Sequence, residues 1–147
     1  MTETVPVVVG PGGGEVVRTP LGGGGTIKVR GMHSGGRVGV FDSVIPPGEG
    51  PPLHLHATDD ELVYVLEGSF RFQIDDQIHE TPADSTVYIP RGLPHSFQNA
   101  GDRPGRLLHV FTPAGMERFF ALTGGDRARF EAAGAELGME VVGPPLR

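Results

Sequence analysis

Four side chains have the types and spacing to hold a metal ion. His54, His56 and Glu61 lie in PLHLHATDDELVYVLEG, and His95 follows in IPRGLPHSFQN. On a strand, alternate side chains share a face, so His54 and His56 point the same way. Ala57 to Asp60 can form a short connection, and Glu61 then opens a run in which Glu61, Val63 and Val65 share a face. Two imidazoles and a carboxylate aimed into one cavity make a facial site that leaves metal positions open for oxygen or substrate. His95 would extend it to three histidines and one glutamate. A His-x-His pair alone would favour surface or satisfied core histidines. The pair with Glu61 and a later Pro-x-Gly-x-x-His favours metal.

The totals narrow the chemistry. The chain has 147 residues, enough for one domain with a real core. It contains no cysteine, which leaves no disulfide, no thiolate nucleophile and no sulfur ligand, so histidine and carboxylate must hold any metal. That donor set suits one divalent transition ion: Fe, Mn, Co, Ni or Zn. The net charge of −6 argues against nucleic acid or an anionic membrane as partner. Neither a signal peptide nor a bilayer-length apolar run is visible, and a cytoplasmic location is expected. The 24 glycines and 14 prolines recur between apolar runs, which reads as turns between short strands.

The elements that must position the four ligands follow from this punctuation. Val5–Val9 is a candidate strand in an N-terminal arm, and Glu15–Arg18 and Thr26–Arg30 are further strands. The loop 31–36 carries His33, read as solvated. Arg37–Ile45 alternates, with Phe41, Ser43 and Ile45 on one face and Asp42, read as a solvent-facing acid, on the other. Pro46–Pro52 cannot sit within a sheet and delivers the chain to His54. Glu67-Gly68 is a hairpin turn before Ser69–Ile74, where Phe70, Phe72 and Ile74 share a face. Gln77–Thr81, with an exposed His79, and Thr86–Ile89 follow. Phe97 shares the face of His95. In Arg106–Phe111, Leu107, His109 and Phe111 share a face, which places His109 either in the cavity or in an interface. Thr112 and Pro113 fit the cap and first position of a helix that buries Met116, Phe119 and Phe120. Asp126 can cap a second helix to about Leu137, and Met139–Pro145 reads as an extended segment docked on the barrel. Some eight to ten strands with two late helices point to a barrel or double sheet.

Gly48, His54-Leu55-His56, Glu61 and Gly68 resemble the first cupin motif. Pro90, Gly92, His95 and Asn99 resemble the second. Asp84 stands where that motif usually has glycine, which implies a changed turn before Thr86–Ile89. The tail TPAGMERFF with GMEVVGPPL is similar to small bacterial quercetin-dioxygenase-like cupins. The resemblance implies an all-β double-stranded β-helix, a jelly-roll barrel with two short C-terminal helices. A single domain spans 1–147: arm 1–14, barrel 15–112, helices and tail 113–147. It also implies a homodimer, with Leu62, Tyr64 and Leu66 on a candidate contact face unless the late helices cover it.

The expected pocket is apolar and aromatic: Val63, Val65, Phe70, Phe72, Phe97 and Phe111, with His109 if inward. Such walls suit a flat, oxygenated, hydrophobic small molecule. The expected function is a metal-dependent dioxygenase of a flavonol-like or other aromatic enol, using O₂, with His54, His56, Glu61 and His95 on the metal. The resemblance implies that Glu61 also serves as catalytic base. Because this fold hosts many chemistries, the alternatives are a non-oxidative isomerase, cyclase or decarboxylase, or a small-molecule-binding cupin without catalysis.

Overall fold

The computed structural model describes residues 4–147. Its elements in order are β1 (Glu15–Val17), β2 (Gly25–Val29), α1 (Gly31–Ser34), β3 (Gly39–Ile45), β4 (Pro52–His56), β5 (Asp60–Glu67), β6 (Ser69–Ile74), β7 (Gln77–Pro82), β8 (Thr86–Ile89), β9 (His95–Asn99), β10 (Gly105–Thr112), α2 (Phe119–Thr123), α3 (Phe130–Glu136) and β11 (Met139–Pro145). The strands form two antiparallel sheets. One runs β1-β2-β3-β10-β5-β8 and the other β11-β4-β9-β6-β7. This is the double sheet with C-terminal helices that the strand pattern predicts, and the jelly-roll barrel that the family resemblance implies.

Period-two alternation fixes which face turns inward. Along β10, Gly105, Leu107, His109 and Phe111 are buried while Arg106, Leu108 and Val110 are only half-buried. The core between the sheets contains Ile45, Val63, Val65, Phe70, Phe72, Ile89, Phe97 and Leu107. A second cluster, Phe111, Met116, Phe119, Ala133 and Met139, joins the C-terminal helices to the end of the barrel.

Five local readings change. Residues Val5–Val9 form no strand; the arm is tied instead through a Thr4–Ser34 bridge and a hydrogen bond from Val5 N–H to the His33 carbonyl. His33 is half-buried, and its Nδ1 accepts from Arg30 N–H at the start of α1. Asp42 is only 7% exposed, because Arg106 Nη2 pairs with it at 2.7 Å on the outer sheet face. Thr112 still belongs to β10, and the helical turn begins at Met116, so Pro113 is not its first residue. Asp84 adopts φ 70°, the left-handed conformation open to glycine, so the turn survives the substitution. Its carboxylate accepts the Tyr64 hydroxyl, which helps hold it there.

The segment between β3 and β4 is fastened to β9. Gly48 N–H donates to the Asn99 carbonyl, Asn99 N–H to the Glu49 carbonyl, and Ser96 Oγ to the Pro51 carbonyl. The Asn99 amide nitrogen donates to the Ile45 and Arg103 carbonyls, while its oxygen accepts from Gly101 N–H. The two histidine-bearing strands are thereby held at a fixed separation. Gly50 sits at the closest approach, where a methyl would collide with the Phe97 carbonyl. Gly50→Ala should lower stability by about 1–3 kcal/mol, the usual cost of overpacking, measured by thermal unfolding. An unchanged melting temperature would show that β9 yields at no cost.

Candidate metal centre

The site lies between the two sheets. The five-stranded sheet supplies His54 and His56 from β4 and His95 from β9, with His54 directly opposite His95. The six-stranded sheet supplies Glu61 from the start of β5 and His109 from β10. All five side chains are buried. One ligating atom from each of His54, His56 and His95 lies within 4.8 Å of the others.

Two rings are already oriented. His54 Nδ1 donates to the Pro52 carbonyl at 2.7 Å and His95 Nδ1 to the Leu93 carbonyl at 2.9 Å, which leaves both Nε2 atoms for the centre. Glu61 reaches across from the other sheet. Its Oε1 lies 3.2 Å from His95 Nε2 and 3.4 Å from His56 Nε2. Its Oε2 accepts from His109 Nδ1 at 2.9 Å, and His109 Nε2 lies 2.9 Å from Ser43 Oγ. An ionised carboxylate only accepts, so His109 carries its proton on Nδ1 and the Ser43 hydroxyl donates to Nε2.

The protonation tendencies favour ligation at His54 and Glu61 and oppose it at His56. Burial, together with the charges of His95 and His56, pushes His54 down to about 3, so it stays neutral. Burial alone would raise Glu61, yet hydrogen bonds from His109, His56 and His95 hold it well below the usual carboxylate range. Burial alone would lower His56, but the Glu61 hydrogen bond and charge, with Asp59, raise it. Burial lifts Asp59 to about 6. Three imidazole nitrogens and one carboxylate oxygen, with no sulfur, fit a borderline divalent ion.

Above the centre lies a cavity of about 90 Å³ with largely apolar walls. Phe97 and Phe111 line it, and so does His109, which turns inward. Val63, Val65, Phe70 and Phe72 do not: they pack in the neighbouring core between the sheets. The actual walls come from Phe41 and Ser43 on β3 and from Met116, Phe119, Phe120 and Phe130 in the C-terminal region. The alternation of β3 marked Phe41 and Ser43 as one face, and the spacing of Met116, Phe119 and Phe120 marked a buried stripe. Neither signal says that these faces meet over the histidines.

Residues 41–111 match the Cupin domain family. The protein MJ1618 of Methanocaldococcus jannaschii is 31% identical over 77 residues, covering 52% of this chain and 62% of that protein. Polyketide synthase CurC of Streptomyces cyaneus is 32% identical over 71 residues, covering 48% of this chain and 46% of that protein. The matches thus span roughly half the length of these curated relatives. An RmlC-like cupin from Shewanella frigidimarina NCIMB 400 superposes with a TM-score of 0.65 at 19% identity, covering 80% of this chain and 98% of that one. At that identity the likeness concerns the fold.

Because the donors come from both sheets, a divalent ion should stabilise the protein. At 100 times its Kd it should add about 2.7 kcal/mol, and His54→Ala or His95→Ala should abolish the rise in melting temperature. Uptake should weaken as pH falls, starting above 6.5, because Glu61 holds a proton on His56 beyond the range of a free imidazole. In Glu61→Gln that onset should move to lower pH. Isothermal titration with zinc or cobalt between pH 5 and 8 measures both, and pH-independent uptake would contradict the coupling.

Proposed function

Residues 41–111 of this chain are a cupin domain, and we propose that the protein is a metal-dependent dioxygenase acting on a small aromatic or enolic molecule. One observation carries this reading. Glu61 is buried beneath an aromatic cavity, with one oxygen turned to the imidazoles and the other held by His109. A divalent ion held by His54, His56, His95 and Glu61 would lower the pKa of a bound enol and bring dioxygen beside it. Glu61 Oε1 is the group placed to take the enol proton, and His109 keeps the carboxylate from turning away. Phe41, Phe97 and Phe111 exclude water and stack on a flat ring.

The cavity limits the substrate. About 90 Å³ is well under the roughly 300–1,000 Å³ of sites for drug-sized ligands. A single-ring enol or phenol is nearer that volume than a three-ring flavonol, which would require α2 and α3 to shift. The second reading is a non-oxidative isomerase, cyclase or decarboxylase. The likeness to Polyketide synthase CurC favours it, because the same site would stabilise an enolate without oxygen. In either case we expect two copies to pair through the outer face of β5 and β8, where Leu62 and Tyr88 are exposed and which the C-terminal helices leave uncovered.

Oxygen uptake by protein loaded separately with Fe, Mn, Co, Ni or Zn, against single-ring enols, catechols and flavonols, tests the proposal. The expected result is uptake that needs metal and substrate. It should fall at least about 100-fold in His54→Ala and in Glu61→Gln, the scale of general-base loss. Turnover that proceeds equally under argon would move the assignment to the non-oxidative reading. Full uptake in Glu61→Gln would remove Glu61 from the base role.

A further inference from the structure

His56 is held differently from the two histidines beside it. His54 and His95 each give Nδ1 to a backbone carbonyl, at 2.7 and 2.9 Å. His56 has no such carbonyl. Its Nδ1 faces Asp59 Oδ2 at 3.4 Å, and the two atoms are buried without any hydrogen-bond partner. An unpartnered donor and an unpartnered acceptor, both removed from water, are each costly to leave unmatched. A movement of about half an ångström would join them in an ordinary N–H···O bond.

We infer that Asp59 is the positioning residue for His56. Its carboxylate accepts the Nδ1 proton, fixes the tautomer and leaves the Nε2 lone pair for the metal. The inference rests on the metal reading given above but not on any particular reaction. Three features carry it. Asp59 closes the three-residue link between β4 and β5, so its backbone is anchored at both ends within three residues of His56 and two of Glu61. Its side chain is buried although its neighbour Asp60 is taken up by Arg91, which donates to it from both backbone and guanidinium. A buried carboxylate needs a partner of opposite character, and the atom facing Oδ2 is the His56 ring nitrogen. Asp59 and Glu61 together also place two buried carboxylates at the two ring nitrogens of His56, Oδ2 at 3.4 Å from Nδ1 and Oε1 at 3.4 Å from Nε2, an arrangement that a divalent ion on the Nε2 side would balance. Carboxylate–histidine pairs of this kind orient a ligand ring and raise its basicity.

Zinc affinity, measured by competition with a chelating dye, gives the test without any substrate. Asp59→Ala should weaken zinc binding about 10- to 100-fold, the range for loss of such outer partners. Asp59→Asn keeps an acceptor but not the charge, and should fall between Asp59→Ala and the wild type. The metal-free melting temperature should not fall in Asp59→Asn, which separates a positioning role from a purely structural one. In the zinc-loaded wild type, imidazole ¹⁵N shifts should show His56 protonated at Nδ1 and bound through Nε2. Wild-type zinc affinity in Asp59→Ala, or His56 bound through Nδ1, would overturn the inference while leaving the metal centre intact. A wild-type protein that takes up no zinc, cobalt or nickel would overturn both.

Discussion

A single buried carboxylate organises this molecule. Glu61 is 5% exposed and sits where the two sheets face each other, with imidazoles on either side. Such a group is tolerated only if the surroundings supply hydrogen bonds or positive charge. Here they divide its two oxygens. His109, backed by Ser43 on the same sheet, takes Oε2, and His56 and His95 on the opposite sheet flank Oε1. The side of Glu61 that faces its own sheet is satisfied within the fold. The side that faces the other sheet is satisfied weakly, by contacts of 3.2 and 3.4 Å, and is where a cation would belong.

Much of the rest serves to keep that gap constant. β4 and β9 must present three rings at one depth, and the Pro46–Pro51 segment is sewn to β9 by backbone bonds and by the Asn99 amide. Asp60 and Arg91 fix the turn that leads into β9 from the other side. The C-terminal segment closes the top. β11 pairs with β4, placing Met139 opposite His56 and Val141 opposite His54, while α2 and α3 set Phe119, Phe120 and Phe130 over the cavity. The strand beside the ligands and the roof above them thus come from the same stretch of chain. The size of the cavity is coupled to the packing of the ligand strand.

How far this was legible in the sequence depends on the range of the interaction. His54, His56, Glu61 and His95 could be read because period-two alternation and two short motifs are local. The face of β10 was also local, but whether His109 turned inward was not. That depended on Glu61, 48 residues earlier, offering an acceptor. The burial of Asp42 is equally non-local, since the cation that covers it, Arg106, lies 64 residues away. Val63, Val65, Phe70 and Phe72 have the inward pattern assigned to them, yet alternation gives a face and not a depth. The barrel interior is divided along its length into a packed core and a cavity.

That division bears on what the fold can accommodate. The packed half, with Val63, Val65, Phe70 and Leu107 essentially inaccessible, leaves no room for a substrate to enter from below. Access to Glu61 and the histidines must therefore come from the end covered by α2 and α3. These helices are only five and seven residues long, and their hold on the barrel is mainly the apolar cluster around Phe111, Met116 and Met139, with Arg127 bonded to the Pro20 carbonyl and Glu49 at the rim. Helices this short draw their stability from tertiary contacts and not from themselves. Whatever widens the cavity must loosen those contacts. The candidate ligands thus sit on paired strands of the two sheets, while the room above them is set by the C-terminal cover.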